Sequence, residues 1–151
     1  MSPRQSSAPV PEALKPLFAL NRYVRASTLE PALIELVQMR VSQLNGCAYC
    51  LDMHSKDARA AGETEQRLYL LQAWRETPLY SAREQAAMAW CEAVTRLDPH
   101  GVPDTVYQQA RQQFSEKELG DLNMAVILIN AWNRIAIPFQ SEPGHYQPGS
   151  R

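Results

Sequence analysis

Ser27-x-x-Glu30, Ser81-x-x-Glu84 and Ser115-x-x-Glu118 each stand directly before a periodic apolar stretch. That pattern marks a helix start, because the serine oxygen and the glutamate carboxylate can satisfy backbone N–H groups that the first turn leaves without partners. With Pro103 read as a first-turn proline and Gly62 as a stop, the punctuation predicts helices over about 28–44, 47–61, 65–75, 82–97, 103–113 and 116–137. No segment reads as a strand, and there is no internal repeat. The proline-rich ends, 3–16 and 138–148, read as arms, although Leu14, Leu17, Phe18 and Leu20 suit a short N-terminal helix. The expectation is an all-α chain: an N-terminal arm over 1–13, one helical domain over 14–140 and a C-terminal tail over 141–151.

Two of these helices say more than amphipathicity. In the last, Leu122, Met124, Ala125, Val126, Ile127, Leu128, Ile129 and Trp132 leave few polar positions around the circumference, which predicts burial on most sides by the core, a subunit contact or both. In the first long helix, Leu29, Leu33, Leu36, Val37, Val41 and Leu44 form an apolar face with Arg40 in its middle, where it requires a carboxylate or carbonyl partner. Glu35, Gln38 and Ser42 fall on the opposite face, and periodicity alone makes Glu35 a solvent glutamate.

At 151 residues and 45% hydrophobic, the chain suits one domain with a real core. Fifteen basic and sixteen acidic residues leave a formal charge of −1 with no basic block, which argues against nucleic-acid binding. The first residues lack a hydrophobic run of signal-peptide length, and the apolar stretch Met124 to Ile129 is too short to span a bilayer. The sequence therefore predicts a cytoplasmic protein with no membrane contact, where a paired cysteine motif reads as catalytic or metal-binding rather than as a structural bridge.

That motif is Asn45-Gly46-Cys47-Ala48-Tyr49-Cys50-Leu51-Asp52-Met53-His54. On a helix Cys47 and Cys50 are i,i+3 neighbours and Cys50 and His54 are i,i+4 neighbours, so one face holds a dithiol and a base. Cα atoms three apart on a helix lie about 5–6 Å from one another, within reach of a disulfide. Asn45 is a good N-cap, which would put both thiols in the first turn, where the dipole favours thiolate. His54 can accept the thiol proton or, once charged, stabilise the thiolate. Zinc is the alternative for the same residues, but only Cys91, His100 and His145 remain to complete a four-ligand site, and no metal is expected. Cys91 reads as a small buried hydrophobe, His100 and His145 as loop residues, and Trp132 with Asn133 as core or as the lining of a pocket at a subunit boundary.

Glu35, followed twelve positions later by Cys47-Ala48-Tyr49-Cys50 and then by His54, resembles the active-site pattern of the alkyl hydroperoxidase D-like proteins of the carboxymuconolactone decarboxylase superfamily. The stretches Arg40 to Gly46, Ser81 to Ala87 with Trp90, and Asn130 to Arg134 resemble the same group, so the likeness spans roughly residues 15–140. The resemblance implies an all-α helical bundle assembled as a homotrimer or homohexamer, and a peroxidase whose redox-active Cys47–Cys50 disulfide takes the place of any cofactor. It implies Cys50 as the peroxidatic thiol, Cys47 as the more exposed resolving thiol, and His54 with Glu35 as the proton relay. It also implies a hydroperoxide substrate and a thiol donor, such as a lipoyl or thioredoxin-like protein. One departure stands out: Tyr49 occupies a position where the best-known type of the family has histidine. Tyrosine donates a hydrogen bond but is a poor base near neutral pH, so Tyr49 is either a supporting donor or a packing residue.

Three functions remain open on this reading. The first is a thiol-dependent peroxidase or disulfide reductase in antioxidant defence. The second is a non-enzymatic redox sensor or interaction protein that uses the same disulfide as a switch. The third, lactone decarboxylation, is the superfamily's other activity and has no need of a CxxC pair.

Overall fold

A computed structural model describes Arg4 and residues 10–150. It contains α1 (Pro11–Ala26), α2 (Pro31–Asn45), α3 (Ala48–Ala60), α4 (Glu65–Leu70), a 3-10 segment (Leu71–Glu76), α5 (Ala82–Thr95), α6 (Asp104–Gln113) and α7 (Glu116–Ala136). Among the described residues there is no strand, only an isolated bridge between Asp98 and Gly101. Among the described residues no helix is long and apolar enough to cross a membrane.

Helix α2 is the axis. It packs against α3, α5, α7 and the 3-10 segment, and from Leu33 to Met39 every residue is buried. This overturns the solvent face read from periodicity: Glu35, Gln38 and Ser42 are 5%, 1% and 0% exposed. A helix enclosed on all sides has no water-facing stripe, so its polar residues must find partners inside the protein. Arg40 does so as anticipated. Its guanidinium donates to Glu92 of α5 at 2.8 and 3.0 Å, and the same carboxylate accepts from Trp74 Nε1 at 3.0 Å and Arg75 at 2.6 Å. Burial alone would raise the Glu92 carboxyl, but these donors outweigh it and hold it below the ordinary carboxylate range.

Two of the three capping boxes form. Ser81 and Ser115 each accept from the backbone N–H of Glu84 and Glu118, and each glutamate returns a bond to its serine's N–H. Ser27 instead ends α1, its hydroxyl donating to the Val24 carbonyl at 2.7 Å. Helix α2 begins at Pro31, whose fixed φ suits a first-turn position, and Glu30 is drawn away to Arg83 of α5 at 2.9 Å. Pro103 is the N-cap of α6 rather than a residue of its first turn. The helix expected over 65–75 breaks at Ala73, whose φ of −110° and ψ of 27° leave the helical region, and the chain tightens into the 3-10 segment.

The ends are less tail-like than their composition suggested. Helix α1 starts at Pro11 and continues through Pro16. Leu20 packs against the core, and Phe18 pairs with Trp132 of α7 at a ring-centroid distance of 5.2 Å. Segment 138–150 lies back across α3, as described below. In α7, Ala125, Val126, Leu128 and Ile129 are fully buried and only Ile127, 44% exposed, faces outward from that run. Helices α1, α2, α3, α5 and α6 supply this cover, so the apolar circumference of α7 is explained within one chain and does not itself require a second subunit.

Candidate active site

The α2–α3 junction is built by its backbone. Gly46, at φ 71°, takes the left-handed conformation that only glycine adopts without a Cβ penalty. The N–H of Gly46 then reaches the Gln43 carbonyl at 3.3 Å, and that of Cys47 reaches the Ser42 carbonyl at 3.0 Å. This pair of bonds ends α2 in a Schellman motif. The chain turns so sharply that Cys47 is itself the N-cap of α3, its sulfur accepting from the Cys50 N–H at 3.3 Å. Asn45, anticipated in that role, is the last residue of α2. Its side-chain amide donates to Asn130 and Asn133 of α7 at 3.0 and 2.9 Å, and Asn133 donates in turn to Ser42 at 3.1 Å. These amides tie the junction to α7.

Cys47 and Cys50 are joined as a disulfide with Cα atoms 5.4 Å apart, as the helical spacing requires. Both sulfurs sit at the positive end of the 13-residue α3, which favours thiolate once the bond is reduced. The expected contrast in exposure is absent. Cys47 is 1% and Cys50 3% exposed, because the junction folds both against the core. The two cysteines instead open toward different spaces. Cys50 lines a cavity of about 460 Å³ together with His54, Gln38 and Trp132. Cys47 lines a separate cleft of about 580 Å³ with Gly46, Ile137 and Pro143. Tyr49 borders both.

Glu35 and His54 meet as the family pattern implied. His54 Nδ1 lies 3.0 Å from Glu35 Oε2, with both side chains buried. The other oxygen of Glu35 accepts from Arg25 Nη1 of α1 at 2.6 Å, and Arg25 Nη2 donates to Gln38 Oε1 at 3.0 Å. Burial alone would raise the Glu35 carboxyl, but the hydrogen bond and charge of His54, followed by those of Arg25, bring it below its ordinary 4.5. Glu35 is therefore a carboxylate at neutral pH and accepts from Nδ1–H. That fixes the tautomer and leaves Nε2 as the basic nitrogen of His54.

Two further residues complete the surroundings. Asp57, one turn beyond His54 on α3, places a carboxylate oxygen in a group with Glu35 and His54 whose ligand-type atoms all lie within 4.8 Å. It accepts from the Tyr146 hydroxyl at 2.7 Å. Glu35, His54 and Asp57 are the one such group among the described residues, and both oxygens of Glu35 are already engaged, one by Arg25 and one by His54. Cys91 is buried in α5, where desolvation raises its thiol, while His100 and His145 are exposed. None of the three joins that group, so the zinc set considered from sequence is not gathered. Sequence reading did not find Arg25, Asp57 or Tyr146. The one available cue for Arg25 was that a buried Glu35 would need a cation, and that cue depended on knowing the burial.

Comparison with known proteins bears on the family and the fold. Residues 11–93 match the Carboxymuconolactone decarboxylase family. The chain is 43% identical over 127 residues to the uncharacterized protein YdfG of Bacillus subtilis (strain 168), an alignment that covers 84% of this chain and 86% of that protein. It is 40% identical to a crystal structure from Agrobacterium tumefaciens, a protein of unknown function provisionally assigned to antioxidant defence as AhpD. That match has a TM-score of 0.90 and covers 96% of this chain and 100% of the other. An uncharacterized peroxidase-related protein from a Silicibacter species shares the fold at a TM-score of 0.79 and 23% identity, over 91% of this chain and 73% of that one. With the motif, the helical architecture and the matched residues in agreement, the chain belongs to the carboxymuconolactone decarboxylase family, as an alkyl hydroperoxidase D-like member.

Proposed function

We propose that this protein is a thiol-dependent peroxidase of antioxidant defence in the reducing cytoplasm. The observation that carries the reading is that Cys50 opens into the same cavity as a histidine whose tautomer is fixed by a buried carboxylate. In the reduced protein, His54 Nε2 takes the Cys50 proton. The thiolate attacks the terminal oxygen of a hydroperoxide, so that an S–O bond forms, the O–O bond breaks and an alkoxide departs. His54 returns the proton to that alkoxide, giving an alcohol and Cys50 sulfenic acid. Cys47 then attacks the sulfenic sulfur, water leaves and the disulfide forms. Two electrons and two protons from donor thiols restore the dithiol, the first donor sulfur attacking Cys47 from its own cleft. Because Cys47 is recessed, the geometry favours a thiol on a slim arm, such as a lipoyl group, over the broad face of a thioredoxin-like protein.

The test is a stopped-flow and steady-state assay of the reduced protein with hydrogen peroxide and an alkyl hydroperoxide, with dihydrolipoamide or reduced thioredoxin as donor. One disulfide formed per peroxide consumed, followed by turnover with a donor, is the expected result. Reduced protein left unoxidised by either peroxide would reject the peroxidase reading, while a redox switch could still be oxidised by thiol–disulfide exchange.

A homo-oligomer, trimer or hexamer, belongs to the same proposal. Its support is the set of large apolar side chains left outward, Phe18, Tyr69, Leu70 and Ile127 among them. Light scattering at micromolar concentration is expected to give a multiple of the 17.0 kDa chain mass, and a strictly monomeric mass would reject it.

A further inference from the structure

The segment after α7 is not loose. The Gly144 N–H donates to Asp52 Oδ2 at 2.9 Å, Lys56 donates to the carbonyls of Gly144 and Tyr146 at 3.2 and 3.1 Å, and the Tyr146 hydroxyl donates to Asp57 Oδ1 at 2.7 Å. Asp52, Lys56 and Asp57 all lie on α3 between or beyond Cys50 and His54, so the segment is clamped along the helix that carries the reactive groups. Its residues Ser141, Tyr146 and Ser150 line the Cys50 cavity, whose apolar lining includes Leu14, Phe18 and Trp132. Tyr146 is only partly buried, and its hold on Asp57 is a hydrogen bond to a charged acceptor, the stronger class of such bonds.

We infer that Tyr146 is a specificity-determining residue: latched to Asp57, it forms the wall that limits the size of what reaches Cys50, admitting hydroperoxides with a compact apolar group and turning away bulky ones. The inference rests on the peroxidase reading for its substrate class. The wall itself is a property of the cavity and can be measured without a peroxide. Opening the wall requires breaking the phenol–carboxylate bond and swinging an aromatic ring out of the cavity, whereas a small reagent passes with the ring in place.

The experiment compares wild type, Tyr146→Phe and Tyr146→Ala, each reduced, by the rate at which Cys50 is alkylated by iodoacetamide and by bulky, apolar N-(1-pyrenyl)maleimide. Labelling is read at the Cys50 peptide by mass spectrometry. Tyr146→Ala should raise the ratio of the bulky to the small reagent's rate roughly tenfold, the scale set by one charge-assisted hydrogen bond. Tyr146→Phe, which keeps the ring and loses the latch, should move the ratio in the same direction by less. A parallel rise should appear in the oxidation rate by cumene hydroperoxide relative to hydrogen peroxide. A ratio unchanged in both variants, or lowered, overturns the inference. If Tyr146→Ala does not fold, the ratio for Tyr146→Phe decides alone. If no variant is oxidised by either peroxide, the peroxidase reading fails while the alkylation ratio still decides whether Tyr146 is the wall.

Discussion

Cys50→Ser should lower peroxide-dependent oxidation of the reduced protein by at least roughly 10³-fold, the scale on which removal of a nucleophile acts. Cys47→Ser should leave the first step intact and stop the second. The difference follows from position. Cys50 shares its cavity with His54, so the thiolate, the base and the entering peroxide are in one space, whereas Cys47 faces a different cleft and meets the oxidised sulfur only across the disulfide bond. Without Cys47 the sulfenic acid has no partner thiol in the described structure, since Cys91 is buried in α5. It should therefore persist long enough to be trapped by dimedone and seen as a mass increase on the Cys50 peptide. Peroxide consumption in a single turnover measures the first variant. If Cys50→Ser consumes peroxide at the wild-type rate while Cys47→Ser does not, the two roles are exchanged.

Helix content and most helix ends were legible because they depend on local chemistry. Ser81 and Glu84, like Ser115 and Glu118, act within one helical turn, and each glutamate keeps one oxygen for its serine's N–H while the other accepts from a distant arginine, Arg67 or Arg83. Ser27-x-x-Glu30 has the same letters and fails because Arg83, fifty-three positions away, takes the glutamate, and Pro31 already supplies the helix start. Asn45 illustrates the same limit: its amide is taken by two asparagines of α7, eighty-five and eighty-eight positions away, and the cap falls to Cys47. The site was legible in its motif and illegible in its surroundings. Periodicity placed Glu35 on a polar face and could not know that α3, α7 and α1 cover that face. Only the resemblance paired it with His54. Arg25 and Tyr146 come from elements whose approach to α3 is set by packing. Segment 138–150, with its prolines and glycines, carried the composition of a tail while its backbone groups were committed to α3.

The second large effect concerns the relay. His54→Ala should slow the reaction of Cys50 with peroxide near neutral pH by about 10²–10⁴-fold, the usual contribution of a positioned acid–base group. Glu35→Gln should give a smaller loss: glutamine keeps an oxygen for Nδ1–H but not the negative charge that balances the imidazolium formed when His54 takes the Cys50 proton. Tyr49→Phe should do least, because a phenol does not exchange its proton readily at that pH. Thiol alkylation by iodoacetamide across pH 5 to 9 separates these cases, and superimposable profiles for wild type and His54→Ala would remove His54 from the relay. Glu35→Gln has a second consequence with a definite sign. The carboxyl is lower in the folded protein than its ordinary 4.5, so its contribution to stability is present above that value and is lost as the pH falls through the lower folded one. The variant should be less stable than wild type at neutral pH by about 1.5–3 kcal/mol, the range for a hydrogen bond to a charged group. The Tm difference should shrink toward zero in acid below the folded pKa, where wild type carries a neutral carboxyl too. A difference that persists undiminished there would mean that Glu35 holds α1 and α3 together through packing, and that its charge serves Arg25 and His54 less than the geometry implies.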